Sequence, residues 1–347
     1  MSDKPYSGPV VAIAGAGRMG RGIAVAGALA GVKSQIIDLK QRSADDVFAL
    51  QAAALDEVRG AINMLADIGM VEHSNIERIC ANVEFSDFSA LHHCDFVFEA
   101  VPETLEAKSS AFEAICKCVS SNVVIASTTS TILSDDLQSL VTHPERFINA
   151  HWLNPAFLVP LVELSPATAT SDVTIAGIRQ LLESMGKIPV VCKASPGYIV
   201  PRMQMLAMNE AARLVEEGVA SVDDIDKASK YGFGFRFAIL GMLEFIDWGG
   251  GDILYHAGQY MTKATGEQRY AAPEIVNQNM ETGRIGLRTG KGFLNYEDLD
   301  LDIYKSQKLA AFFGMLKHLE VLPVCDGSYN PAAKIDSDER PVSSPSE

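Results

Sequence analysis

Val10-Val-Ala-Ile-Ala14, then Gly15-Ala-Gly17-Arg-Met-Gly20, then small residues as far as Ala30: this stretch decides how the chain folds. Five consecutive apolar residues fit a strand buried on both faces. The small-residue run fits a helix packed closely against it, and Ser34–Asp38 supplies a second strand. In such a strand–loop–helix–strand unit Gly15 permits the tight turn. Gly17 lets the backbone approach a pyrophosphate, and Gly20 lets helix and strand pack closely. The helix N-terminus offers free N–H groups and the positive dipole end to a phosphate anion. Asp38 can accept hydrogen bonds from ribose hydroxyls and would repel a 2′-phosphate, which points to NAD. Lys40 and Arg42 stand close by and keep NADP open. FAD would call for a second motif, and none is visible.

Outward from this unit, apolar periodicity predicts a long helix over Ser43–Ala66 and a short one near Ser74–Cys80. Cys94–Val101, Val123–Ser127, Arg146–His151, Leu158–Leu164 and Pro189–Cys192 have the character of buried strands. Helices over Leu105–Val119 and Val173–Met185 alternate with them. This is the pattern of a layered α/β sheet, a Rossmann-type N-terminal domain over residues 1–194. From Ser195-Pro-Gly197 onward the pattern is helical, interrupted at Gly232–Gly234 and Gly249–Gly251. An all-α C-terminal domain over residues 195–325 is expected, followed by a disordered Ser/Pro/Asp/Glu tail over 326–347.

The composition narrows the functional classes. Among 347 residues the net charge is −15, and no basic stripe offers itself to nucleic acid or an anionic membrane surface. No apolar run has the length of a membrane span, and the N-terminus leaves no room for a targeting peptide before the first strand. The 6 cysteines are scattered. Cys116 and Cys118 are wrongly spaced for zinc, so no metal is expected and the thiols fit a reduced, cytoplasmic protein.

Of the histidines, His151 stands out by position. It ends a strand and opens His151-Trp-Leu-Asn154-Pro155. Glu163 lies within the apolar run Leu158-Val-Pro-Leu-Val-Glu163-Leu, where an unpaired carboxylate would be costly. Paired with His151 it would fix the ring tautomer and leave the other nitrogen as a general base. A secondary alcohol that loses hydride to a nicotinamide needs such a base. Ser130, in Ser127-Thr-Thr-Ser130-Thr after a strand at the carboxyl edge of the sheet, has a hydroxyl to offer a substrate oxygen.

Taken together these residues resemble the L-3-hydroxyacyl-CoA dehydrogenase family. The motifs that carry the resemblance are Ala14–Gly20, Glu99-Ala-Val-Pro-Glu103 with Lys108, Ser130, and His151–Pro155 through Glu163. Ser195-Pro-Gly-Tyr198 and Gly283–Phe293 complete the set over roughly residues 9–320. The resemblance implies His151 as base and Glu163 as its partner, with Ser130 and Asn154 positioning substrate and ring. It implies Met19, Ala100, Val101, Glu103 and Lys108 along the cofactor, a small-molecule 3-hydroxyacyl substrate, and a homodimer formed through the helical domain.

Three departures bear on the substrate. Pro201 and Thr128 replace usual asparagines. The helix after Ser43 carries Arg59 but no lysine, where coenzyme A phosphates would attract basic residues. Gly232–Gly241 also resembles the branch acting on free hydroxy acids, in which Arg236 would clamp a substrate carboxylate. A thioester and a free 3-hydroxycarboxylate therefore both stand. The related classes that rely on a catalytic lysine fit poorly, because His151 and Glu163 occupy that role. A non-catalytic role, as in a lens crystallin, predicts that His151→Gln would be harmless.

Overall fold

A computed structural model describes residues 8–322 of the chain. In it β1 (Val10–Ala14), α1 (Arg18–Leu29), β2 (Lys33–Ile37), α2 (Ala44–Asp67), α3 (Ile76–Cys80), β3 (Val83–Ser86) and β4 (Phe96–Glu99) come first. There follow α4 (Leu105–Cys118), β5 (Val124–Ser127), α5 (Ser134–Gln138), β6 (Phe147–Trp152), β7 (Leu161–Pro166), α6 (Asp172–Ser184) and β8 (Ile188–Val191). The strands make one sheet in the order β3-β2-β1-β4-β5-β6-β7-β8, parallel throughout except for β6 against β7. The order reverses at β1, so a crevice opens at the carboxyl ends of β1 and β4.

The sheet is buried on both faces, and period-2 alternation allots the side chains. Val11 and Ile13 join Ile23, Val58, Ile62 and Trp152 on one face. Ala12 and Ala14 join Phe112, Ile115 and Phe147 on the other. Edge-to-face rings hold each layer, Phe98 on Trp152 at 5.5 Å and Phe112 on Phe147 at 5.6 Å. The same alternation along β6 puts Ile148, Ala150 and Trp152 into the first layer. Asn149 and His151 are thereby turned to the opposite face.

The long helix starts where Ser43 caps it, its hydroxyl accepting from the Asp46 amide. β3 is absent from the sequence prediction. It is a four-residue edge strand, with only Val83 and Phe85 to mark it. β7 begins at Leu161 rather than Leu158, since the carbonyls of Ala156 and Val159 are held by the Lys187 ammonium at 2.7 and 3.0 Å.

The helices that follow are α7 (Val200–Glu216), α8 (Val222–Lys227), a π-helical turn over Ala228–Gly234, and α9 (Phe235–Phe237). Then come α10 (Met242–Gly249), α11 (Gly251–Thr265), α12 (Glu274–Glu281) and α13 (Leu301–His318). The expected break at Gly232–Gly234 is therefore a widened helical turn. The break at Gly249–Gly251 is real: Gly250 has φ +111° and separates α10 from α11. Asp247, buried, accepts from the Phe293 and Leu294 amides and the Tyr296 hydroxyl, closing the Gly-rich turn onto α10. Pro201 falls in the first turn of α7, where a missing N–H is tolerated. By packing, the chain divides into two compact units between Asn209 and Glu210, within α7. The sequence puts the junction earlier, at Ala194–Gly197. The reason for the difference is local: the Tyr198 side chain and the Ile199 and Val200 amides are bonded into the first unit. Cys325 and the tail over 326–347 lie outside the described residues.

Candidate active site

The glycine loop after β1 has the form a pyrophosphate requires. Gly15 has φ +131°, and a Cβ there would lie 2.4 Å from the Ala100 carbonyl oxygen, so no other residue fits. A Cβ on Gly17 would meet nothing within 4 Å. The protein leaves that space open at the head of α1, whose first turn has no side-chain cap and no acidic residue. Both facts suit an incoming phosphate rather than internal packing. Gly15, Gly17, Met19, Asp38, Ala100 and Val101 all line one cavity of about 390 Å³. Gly20 sits beneath the turn, packed against the Gly15 carbonyl. Arg42 donates to Asp38 Oδ2 from Nε at 2.5 Å, so the acid expected at the ribose end is paired, and Lys40 lines the same cavity. The cradle fits NAD.

Lys108 is enclosed behind the carboxyl ends of β4 and β5. It is fully buried, with Nζ 3.0 Å from both carboxylate oxygens of Glu99 and 3.5 Å from Ser127 Oγ. It bridges the two carboxylates of the Glu99–Glu103 motif from below. Glu99, unremarked in the sequence except as part of its motif, also accepts from the Val101 amide and the Ser127 hydroxyl. It thereby ties the end of β4 to the end of β5. Glu103 lies above, its carboxylate 3.6 Å from Lys108 Nζ. Its Oε1 accepts from the hydroxyls of Thr129 and Thr131 and from the amides of Ser130 and Thr131. Glu103 therefore shapes the turn that carries Ser130.

Antiparallel pairing of β6 and β7 sets His151 directly opposite Glu163. Nδ1 lies 2.8 Å from Glu163 Oε2, with the histidine 6% exposed and the glutamate 0%. The other carboxylate oxygen accepts from the amides of Ile199 and Val200, at 2.9 and 2.8 Å, where α7 begins. With Nδ1–H donating to the carboxylate, Nε2 is the free base nitrogen, and it makes no hydrogen bond among the described residues. Ser130 is exposed, and among the described residues its hydroxyl makes no hydrogen bond. Asn154, in the loop after β6, is exposed and lines a second cavity of about 300 Å³ with Arg18, Arg21 and Phe157. Among the described residues no hydrogen bond joins it to Ser130. Asn149, which sequence reasoning passed over, and Tyr198, read there only as part of the Ser195–Tyr198 motif, connect the Ser130 turn to His151. A lone asparagine inside an apolar strand was the available signal.

Arg236 belongs to the second unit. It is exposed, with Nε donating to the Gly232 carbonyl at 2.7 Å and the guanidinium 4.9 Å from the Phe245 ring centroid. Among the described residues its two terminal amino groups make no hydrogen bond. Among the described residues no group of three or more His, Cys, Asp or Glu is placed to hold a metal ion.

A dinucleotide cradle at the carboxyl edge of a parallel sheet, with a histidine–glutamate pair on neighbouring strands, defines an NAD-dependent dehydrogenase. The chain belongs to the 3-hydroxyacyl-CoA dehydrogenase family: residues 10–195 match its NAD binding domain and residues 197–296 its C-terminal domain. It is 31% identical over 286 residues to the 3-hydroxybutyryl-CoA dehydrogenase of Bradyrhizobium diazoefficiens, covering 82% of this chain and 94% of that one. It is 28% identical over 317 residues to the 5-formyl-3-hydroxy-2-methylpyridine 4-carboxylate 5-dehydrogenase of Mesorhizobium japonicum, covering 89% and 99%. A crystal structure of a 3-hydroxyacyl-CoA dehydrogenase from Archaeoglobus fulgidus superposes with TM-score 0.73 at 28% identity, covering 91% of this chain and 100% of that one.

Proposed function

We propose that the protein interconverts the 3-hydroxyl and 3-oxo forms of a 3-hydroxyacyl compound, with His151 as the base. The observation that carries this is the His151–Glu163 pair, set by strand register at the same sheet edge as the cradle. Bound NAD supplies the acceptor for the hydride from the carbinol carbon. His151 Nε2 takes the hydroxyl proton, and Glu163 holds the ring through Nδ1 and favours the imidazolium that forms. The Ser130 hydroxyl and Asn154 position the substrate and the nicotinamide ring as the alcohol becomes a carbonyl. His151→Gln is expected to lower kcat by about 10²–10⁴-fold while the Kd for NADH stays unchanged. A rate within a few-fold of wild type would refute the base.

A thioester is the family default, but one observation favours a free acid. Arg59, the one basic residue of α2, already holds Glu77 through both guanidinium amino groups. Its charge is already paired with a carboxylate, which weakens its pull on a coenzyme A phosphate. Arg236, whose two terminal amino groups make no hydrogen bond among the described residues, suits a carboxylate instead, and the Mesorhizobium relative is named for a pyridine 4-carboxylate. NADH oxidation with acetoacetyl-CoA against a panel of free 3-oxo acids separates the two. Thioester turnover unaffected by Arg236→Ala would sink the free-acid form.

We also infer a cytoplasmic homodimer. The second unit exposes Ile253, Tyr260, Ile303, Leu309 and Phe313, more large apolar side chains than a solvated face favours. Cys80, Cys94, Cys116, Cys118 and Cys192 are free thiols, as a reducing compartment allows. Sedimentation at micromolar concentration is expected to give twice the chain mass, and a monomer would overturn the dimer.

A further inference from the structure

Asn149 stands two residues before His151 on the same face of β6 and is fully buried. Its Nδ2 donates to the Thr129 carbonyl at 3.2 Å and to the Tyr198 hydroxyl at 2.9 Å. The Tyr198 O–H in turn donates to the Ile132 carbonyl at 3.1 Å. Thr129 and Ile132 bracket Ser130, so the pair grips the turn on both sides of the candidate donor. The Tyr198 ring lies against the base, its centroid 5.6 Å from that of His151 with the planes 31° apart. The two residues after it, Ile199 and Val200, supply the amides that hold Glu163. Tyr198 is only 4% exposed, and its φ of +42° lies in the left-handed region that a bulky residue rarely adopts. Such a conformation persists only where the surroundings fix it, and here bonds on both sides do so.

We propose that Tyr198, held by Asn149, is a positioning residue that sets the Ser130 turn against the His151–Glu163 pair. Three parts of the site come from separate stretches of chain: the turn after β5, the end of β6, and the middle of β7. Tyr198 and its neighbours touch all of them. Burial, with the Glu103 and Glu163 carboxylates nearby, pushes the phenol upward, so it remains a donor at neutral pH. The hydroxyl is separable from the ring. A phenylalanine keeps the packing on His151 and the amides on Glu163, and loses only the grip on the turn.

The proposal rests on the roles given above to His151 and Ser130, and the test keeps the two apart. Hydrogen exchange in the full chain needs no substrate. In Tyr198→Phe the Thr131 and Ile132 amides are expected to exchange at least about tenfold faster, with Ile199 and Val200 unchanged. With acetoacetyl-CoA, or the free 3-oxo acid turned over fastest, kcat is expected to fall about ten- to a hundredfold. The Kd for NADH should stay within about twofold, and Asn149→Ser should behave alike. The double variant should be no slower than the slower single one, as for members of one chain of bonds. Exchange at Thr131 and Ile132 equal to wild type, or losses that multiply in the double variant, would overturn the proposal. Should the wild type turn over no probe, the proposed function fails, and the exchange rates alone decide the positioning role. If Tyr198→Phe does not fold, Asn149→Ser is judged by the same readouts.

Discussion

Lys108 shows what a single residue can hide in a sequence. Its motif places it with cofactor residues, yet its ammonium is wholly enclosed and shared between Glu99 and Ser127. Removing one partner of such a pair leaves an uncompensated charge, whereas removing both is far milder. Lys108→Met is therefore expected to cost about 3–5 kcal/mol in urea unfolding. Lys108→Met combined with Glu99→Gln should recover a large part of that loss. A single variant as stable as wild type would mean that the pair contributes nothing to the fold. The legibility of neighbouring residues differs for a physical reason. Gly15 is identifiable because its backbone geometry admits no side chain. Lys108 is not, because a lysine is compatible with either solvent or a buried carboxylate.

At the scale of elements, the turn after β5 is organised by Glu103 from the turn after β4. Burial alone would raise this carboxyl. The Thr129 and Thr131 hydroxyls, the Thr131 amide and Lys108 outweigh it and hold the group below the usual 4.5. A carboxyl lowered on folding stabilises the native state fully above its unfolded value, and that contribution fades as pH falls through the folded value. Glu103→Gln is expected to be less stable than wild type by about 1 kcal/mol at pH 7, a figure kept small because the side chain is partly exposed. The gap should close below pH 4.5, as urea unfolding across pH would show. A gap that persists in acid would mean that shape rather than charge organises the turn. Elements with strong periodicity, such as β1 and α2, are legible in the sequence. β3 is not, since four edge residues with two apolar side chains carry too little pattern.

For the whole molecule the governing quantity is a net charge of −15. An anionic substrate must approach an acidic body before it meets any local cation. Salt screens the long-range repulsion and leaves the short-range contacts largely intact. For an anionic 3-oxo acid kcat/KM is expected to rise about two- to threefold between about 10 and 150 mM salt. Stopped-flow measurement of NADH oxidation checks the sign. A fall with salt would show that the local cations dominate the approach.

By itself the sequence determined the dinucleotide unit, the α/β class and the likeness of the chain to its family. Backbone sterics, strand burial and residue spacing are local properties, and they are written in consecutive residues. It also paired His151 with Glu163, because a carboxylate inside an apolar run needs a partner. Only the tertiary structure decided that Lys108 is enclosed with Glu99 and that Arg42 pairs with Asp38. Only it showed that Asn149 and Tyr198 join the Ser130 turn to His151. Those contacts link residues far apart in the chain, and strand register and close packing, which no local pattern encodes, bring them within bonding distance.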